Sequence, residues 1–233
     1  MMRAWIPSPL PQPQTGNIFV LHRIKSFIKS VLPGIEGKWF SPYAKLFADI
    51  SPADICIDCG ANVGRITLKM AKKGATVYAF EPNPFAFKVL AQKTKAFPKI
   101  CAYNKAAYHA DARVKLYFHQ KHQENPVLWS TGSSLLAEKT NVNQSQYHEV
   151  EAVNLSRFIK ELGAPVHILK IDIEGAEYDL VNALIDSGAL SNVRHVLVET
   201  HAHKIPSLQP ADKNLRAKIK ALNLESKIDL DWV

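Results

Sequence analysis

The sequence predicts an α/β fold on a largely parallel sheet. Three observations carry this. Short apolar runs alternate with helix-patterned stretches from residue 54 onward. Gly74, Pro82, Pro84 and Gly188 punctuate that alternation where strands and helices should stop or start. The 233 residues, 47% hydrophobic and 21% charged, suffice for one well-cored domain with a short extra arm.

The elements follow in order. Residues 1–16 hold Pro7, Pro9, Pro11 and Pro13, which block regular structure and predict an arm. "NIFVLHRIKSFIKSVLPG" then has a helical period, with Val20, Ile24, Phe27, Ile28 and Val31 on one face. Residues 1–50 are thus read as arm and amphipathic helix, and 51–233 as the main domain. "ICIDCG" is a strand, "VGRITLKMAKKG" a helix ended by Gly74, and "TVYAFEP" a second strand closed by Pro82. "PFAFKVLAQKTKAF" is a helix opened by Pro84, and "ICAYNKAAY" a third strand. "VKLYF" and "YHEVEAV" read as strands flanking a long polar loop. "LSRFIKEL" is a helix with Ser156 as its expected cap, and "HILKIDI" a strand. "AEYDLVNALIDSG", "VRHVLVETH", "ADKNLRAKIKALNL" and "KIDLDWV" complete the chain as helix, strand, helix and strand.

With 29 Lys+Arg against 21 Asp+Glu the formal charge is +8, but the lysines are scattered and read as a solvated surface. No nucleic-acid module or base-methylation tetrapeptide is present, so nucleic acid is not the expected partner. The basic helix over 17–32 permits peripheral membrane contact, though packing on the main domain is its commoner use. Three cysteines make no secreted disulfide framework, and no apolar run is long enough to cross a bilayer. A cytoplasmic protein with reduced thiols is expected.

"ICIDCGANVGRITL", residues 55–68, admits three chemical readings. A redox pair is disfavoured, because strand alternation points Cys56 and Cys59 to opposite faces and neither opens a helix. A dinucleotide fingerprint needs a middle glycine that Gly60-Ala61-Asn62-Val63-Gly64 does not supply, and no triphosphate loop is present. The third reading is S-adenosyl-L-methionine, a cofactor without phosphates whose sulfur is cationic. Asp58 supplies a carboxylate at the first strand's end, and Glu81 one at the second, where an acid can accept from both ribose hydroxyls. Each residue has a plainer role alone: Gly60 and Gly64 as turn glycines, Asn62 as a helix cap, Asp58 as a loop acid. Their joint spacing favours the cofactor.

"ILKIDIEGAEYDLV" (168–181), "VLVETH" and the serine pair in "TGSSLL" resemble the FkbM family of S-adenosylmethionine-dependent methyltransferases, from about Ile55 to His201. The resemblance implies a Rossmann-like, doubly wound, mostly parallel seven-stranded sheet. The sequence shows one obvious final strand, so the expectation is a last strand that is missing (the sheet one strand short at the C-terminus), shifted, or supplied by the N-terminal arm or a partner, with an oligomer allowed. It implies methyl transfer to a hydroxyl of a sugar, glycolipid precursor or other small molecule. It also implies that Asp58, Gly60, Asn62, Gly64 and Glu81 hold the cofactor, with Asn104 and Ala106 flanking the adenine.

Hydroxyl oxygen is a weak nucleophile, so a base is expected beyond the strand ends. Asp172, Glu174 and His201 form the unranked candidate set, and Lys170 is read as a structural ion-pair partner. For Glu174 and Glu177 the plainer reading is placement in a helix's first turn. Asp172, Glu199, His201 and His203 are ligand types, but their spacing matches no metal motif, and the expected metal is none. Ser133, Ser134 and Trp129 in the polar loop are read as shaping the acceptor pocket or as ordinary surface. The rival functions are an NAD-dependent oxidoreductase and a non-catalytic cofactor-binding module.

Overall fold

The computed structural model describes residues 43–232. The proline-rich arm and the helix expected over 17–32 lie outside those residues. The chain divides into two units, Met1–Ala48 and Asp49–Val233. Of the first, the described part is a short helix, α1 (Ala44–Ala48).

The second unit begins with β1 (Ile55–Cys59), α2 (Arg65–Ala71), β2 (Thr76–Phe80), α3 (Pro84–Thr94) and β3 (Ile100–Tyr103). β4 (Ala106–Tyr108), β5 (Ala112–His119) and β6 (Val142–Asn154) follow, then α4 (Leu155–Glu161) and β7 (Val166–Ile171). The last elements are α5 (Glu177–Asp186), β8 (Val193–Val198), α6 (Gln209–Ala221) and β9 (Ile228–Asp229). The main sheet runs β3-β2-β1-β7-β8-β9, with every strand pair parallel. All six residues of β7 are buried, as in a central strand covered on both faces. Ile57, Leu169, Leu180, Val196 and Leu215 share the core that joins sheet and helices.

The chain steps outward from β1 to β3, then returns to β7 on β1's other side. That reversal opens a crevice beyond the carboxyl ends of β1 and β7. The register there sets Asp58 beside Lys170 and Cys59 beside Ile171.

Three expectations are corrected. "ICAYNKAAY" forms two strands, because Asn104 Nδ2 donates to the carbonyls of Glu81 (2.8 Å) and Pro82 (3.0 Å) and turns the chain. β4 leaves the main sheet and joins a second one, ordered β4-β6-β5, in which β5 and β6 are antiparallel. The main sheet has six strands among the described residues, and the shortfall lies at the C-terminal edge. There β9 is only two residues long and parallel to β8, followed by a single antiparallel bridge between Glu199 and Asp231. Ser156 does not cap α4; Asn154 Oδ1 accepts from Arg157 N at 3.0 Å, while Ser156 Oγ is buried without a hydrogen bond.

The cap assignment yields a paired expectation. Asn154→Ala should cost about 1 kcal/mol. Ser156→Ala should be neutral or slightly stabilising, because it removes a buried hydroxyl that has no partner. Urea unfolding of both variants checks this; equal losses would return the cap to Ser156.

Candidate functional site

The turn after β1 is built around a backbone contact. Gly60 has φ +75°, and a Cβ there would lie 1.8 Å from the carbonyl oxygen of Asp172. Only glycine lets the β1 and β7 turns approach so closely. Gly60 N and Ala61 N both donate to Phe80 O, fastening the turn to the end of β2. Asn62, at φ +50°, donates its N–H to Glu81 Oε2 at 2.7 Å, and Asn83 N donates to Glu81 Oε1 at 2.8 Å. Burial pushes the Glu81 carboxyl up to about 7 against the pull of those two amides and of Lys170.

Asp58 sits beneath this turn rather than in the crevice. It is 0% exposed, accepts from Thr67 Oγ1 at 2.6 Å, and lies 3.1 Å from Lys170 Nζ. Its carboxylate is committed to a buried pair, which corrects its assignment as a cofactor contact. Lys170 Nζ also donates to Gly60 O at 2.7 Å and lies 3.5 Å from Asp172 Oδ2. Burial alone would lower the Lys170 ammonium, but Asp58 and Asp172 reverse this and raise it. Lys170 is therefore the structural ion-pair partner the sequence indicated. Cys56 and Cys59 are free and buried; burial pushes the Cys56 thiol up to about 12 and raises Cys59 as well. Neither suits thiolate chemistry.

Across the crevice, β7 presents Asp172, and Glu174 (φ +59°) follows in the turn before α5. Burial pushes Asp172 up to about 6; Glu199 and Glu174 add to this, while Lys170 and His201 oppose it. Glu177 is more than a first-turn acid. Fully buried, it accepts from Ile173 N at 3.1 Å and Gly175 N at 3.0 Å, and from His201 Nδ1 at 2.9 Å. His201 is 0% exposed and does not line the cavity. Burial would lower its pKa, but the bond to Glu177 and the charges of Glu174 and Asp172 raise it. Closed off from the cavity, His201 does not reach a substrate in the crevice, which removes it from the base set.

Residues 128–139 cross the crevice as a strap. Ser130 Oγ accepts from Asn62 Nδ2 (2.9 Å) and Ser133 Oγ from Asn83 Nδ2 (3.1 Å). Ser134 Oγ donates to Glu174 O at 2.6 Å, and Lys139 Nζ lies 2.7 Å from Glu174 Oε2. Trp129 stacks on His119 with ring centroids 4.5 Å apart and does not line the cavity. The cavity beneath measures about 90 Å³. Pockets for drug-sized ligands measure roughly 300–1,000 Å³, so the cavity with the strap in this position is smaller than a nucleoside site.

Of the residues assigned to the cofactor, Gly60, Asn62, Glu81 and Ala106 line the cavity. Gly64 starts α2, where a Cβ would meet Leu90 Cδ1 at 2.8 Å, and Asn104 holds the turn after β3. Asp172 and Glu174 line the cavity from the side of the turn after β7. Asn62 holds the strap and Glu81 and does not cap α2, whose N-cap position is Gly64. Asn83, Ser130 and Lys139 were missed; only Asn83, just before a helix-opening proline, carried a local signal.

The family described as Methyltransferase FkbM domain matches residues 58–225. Among curated relatives, 31-O-demethyl-FK506 methyltransferase FkbM of Streptomyces tacrolimicus is 28% identical over 182 residues, covering 68% of this chain and 70% of that protein. Methyltransferase 1 of Beauveria bassiana is 28% identical over 144 residues, covering 56% of this chain, and the chain spans 58% of that relative's length. A solved methyltransferase FkbM from Methylobacillus flagellatus aligns over 60% of this chain and 31% of its own, at 18% identity and a TM-score of 0.38.

Lys170→Met leaves Asp58 buried and uncompensated. It should destabilise the fold by about 3–5 kcal/mol. Adding Asp58→Asn should restore part of that loss, measured by urea unfolding; no recovery in the double variant would show the two residues to be uncoupled.

Proposed function

This chain belongs to the FkbM family of methyltransferases, and on that premise we propose that it is an S-adenosylmethionine-dependent O-methyltransferase acting on a hydroxyl of a sugar or other small molecule. Glu81 carries the cofactor part of this reading. Its carboxylate sits at the tip of β2 in the cavity wall, and each oxygen accepts one backbone N–H. Each oxygen keeps a lone pair for a ribose hydroxyl. Glu81, Asp172 and Glu174 together make the cavity wall acidic. Such a wall suits a cationic sulfonium and repels a pyrophosphate, which weighs against NAD.

S-adenosylmethionine, when bound, supplies a methyl group on a cationic sulfur. The chain's own residues do the rest. Gly60 admits close backbone approach, and Asn62 and Asn83 hold the Glu81 carboxylate in place. The strap excludes water and aligns the two halves of the crevice. Lys139 holds Glu174 at 2.7 Å, whereas Lys170 stands 3.5 Å from Asp172 and is shared with Asp58 and the Gly60 carbonyl, so Asp172 is the freer base for the acceptor's proton. An oxygen acceptor is supported by the Streptomyces tacrolimicus relative, whose name specifies an O-demethyl substrate.

Calorimetry with S-adenosylmethionine should show binding that Glu81→Gln weakens at least about ten-fold, the size of a lost charge-assisted hydrogen bond. The affinity should fall as pH drops through about 7, where the Glu81 carboxylate takes up its proton and loses both its charge and an acceptor site. Binding of NAD and not of S-adenosylmethionine would overturn the reading.

Asp172→Asn should keep cofactor affinity within a few-fold and lower kcat by roughly 10²–10⁴ with labelled methyl donor. In the parent chain kcat should decline as pH falls through about 6, where Asp172 becomes protonated. Unchanged kcat in the variant would remove Asp172 as the base.

A further inference from the structure

We infer that Asp172, Glu199 and His201 form a binding site for one divalent cation at the acceptor end of the crevice. Their ligand atoms all lie within 4.8 Å of one another. The decisive feature is the histidine. His201 is 0% exposed, and its Nε2 makes no hydrogen bond. Nδ1 donates to Glu177 Oε1 at 2.9 Å, which orients the ring and leaves Nε2 directed at carboxylates. Nε2 lies 3.8 Å from Glu199 Oε1, 3.9 Å from Asp172 Oδ1 and 3.3 Å from Glu174 Oε2. Two ligands of one ion at bond lengths of about 2.1 Å stand roughly 3–4 Å apart. A carboxylate behind a ligating imidazole is also the usual support for a metal-bound histidine.

Neighbouring cations leave this position open. Lys170 Nζ approaches Asp172 through Oδ2, whereas Oδ1 is the oxygen nearer His201. Lys139 holds Glu174, so Glu174 stands next to the site without joining it. Lys204 Nζ, 3.7 Å from Glu199 Oε1, is on a half-exposed side chain that can swing away. The network around His201 sets five carboxylates, Asp58, Asp172, Glu174, Glu177 and Glu199, against three lysines, 139, 170 and 204. A dication offsets that excess of acid. One imidazole with carboxylates and open positions suits Mn²⁺.

Asp172 lines the cavity, so a cation here adjoins the acceptor. It would polarise the acceptor hydroxyl and ease loss of its proton to Asp172 through Oδ2, the oxygen the cation does not take. That role rests on the methyltransferase reading; the cation site itself does not.

The test uses the full chain, stripped with chelator and exchanged into chelator-free buffer. Mn²⁺ alone is titrated by calorimetry and by electron paramagnetic resonance. The expected result is one saturable site, weakened at least about ten-fold in Glu199→Gln. Nitrogen coupling to bound Mn²⁺ should be present in the parent chain and in Glu199→Gln at saturation, and absent from a folded His201→Gln. Since His201 is buried, that last variant can fail to fold; Glu199→Gln, one-quarter exposed just past the end of β8, then decides the matter. No saturable binding, unchanged affinity in Glu199→Gln, or bound Mn²⁺ without nitrogen coupling overturns the site. A parallel titration with S-adenosylmethionine separates the two readings. Cofactor without Mn²⁺ removes only the cation site, and Mn²⁺ without cofactor removes only the methyltransferase reading.

Discussion

The buried pair of Asp58 and Lys170 holds the crevice in shape. The two residues are neighbours across the β1–β7 register, at the point where the strand order reverses. One ammonium is shared among the Asp58 carboxylate, the Gly60 carbonyl and the Asp172 carboxylate. Burying such a pair costs desolvation on both sides, and hydrophobic residues of similar volume often do as well for stability alone. What it adds here is position: the glycine turn of one strand and the acid of the next are fixed against a common charge.

The two acids that face each other over the cavity owe their protonation behaviour to different surroundings. Glu81 is raised mainly by burial, with backbone amides limiting the rise. Asp172 is raised by burial and by the carboxylates that crowd it, Glu199 and Glu174, with Lys170 restraining it. Both therefore change charge close to neutrality, one on the side of the glycine turn and one on the side of the turn after β7. A solution pH that alters one side also bears on the other.

The sheet was legible because its strands are short apolar runs between helical periods, and Gly74, Pro84 and Gly188 stand where elements end. Gly60 and Glu81 were legible as well, since a turn glycine and an acid closing the next strand are a local spacing. Asp58 was misread because its type and position fit a ligand, whereas its burial against Thr67 and Lys170 depends on a residue 112 positions away. His201 was misread for a related reason: its burial is set by Glu177 on another helix. The split of β3 from β4 hangs on one asparagine side chain reaching back to β2's end, which no periodicity records. The strap was legible only through Ser133, Ser134 and Trp129, read as pocket or as surface, because polarity does not say what a loop covers.

That strap is tied to Asn62 and Asn83 on one flank and to Glu174 on the other. It therefore fastens both walls of one cavity at once. Released from either flank, it would open both walls to water together. Under the proposed function, exit of a spent nucleoside and arrival of a fresh acceptor would share one gate, a kinetic linkage that arises from shared fastening rather than from any contact between the two molecules.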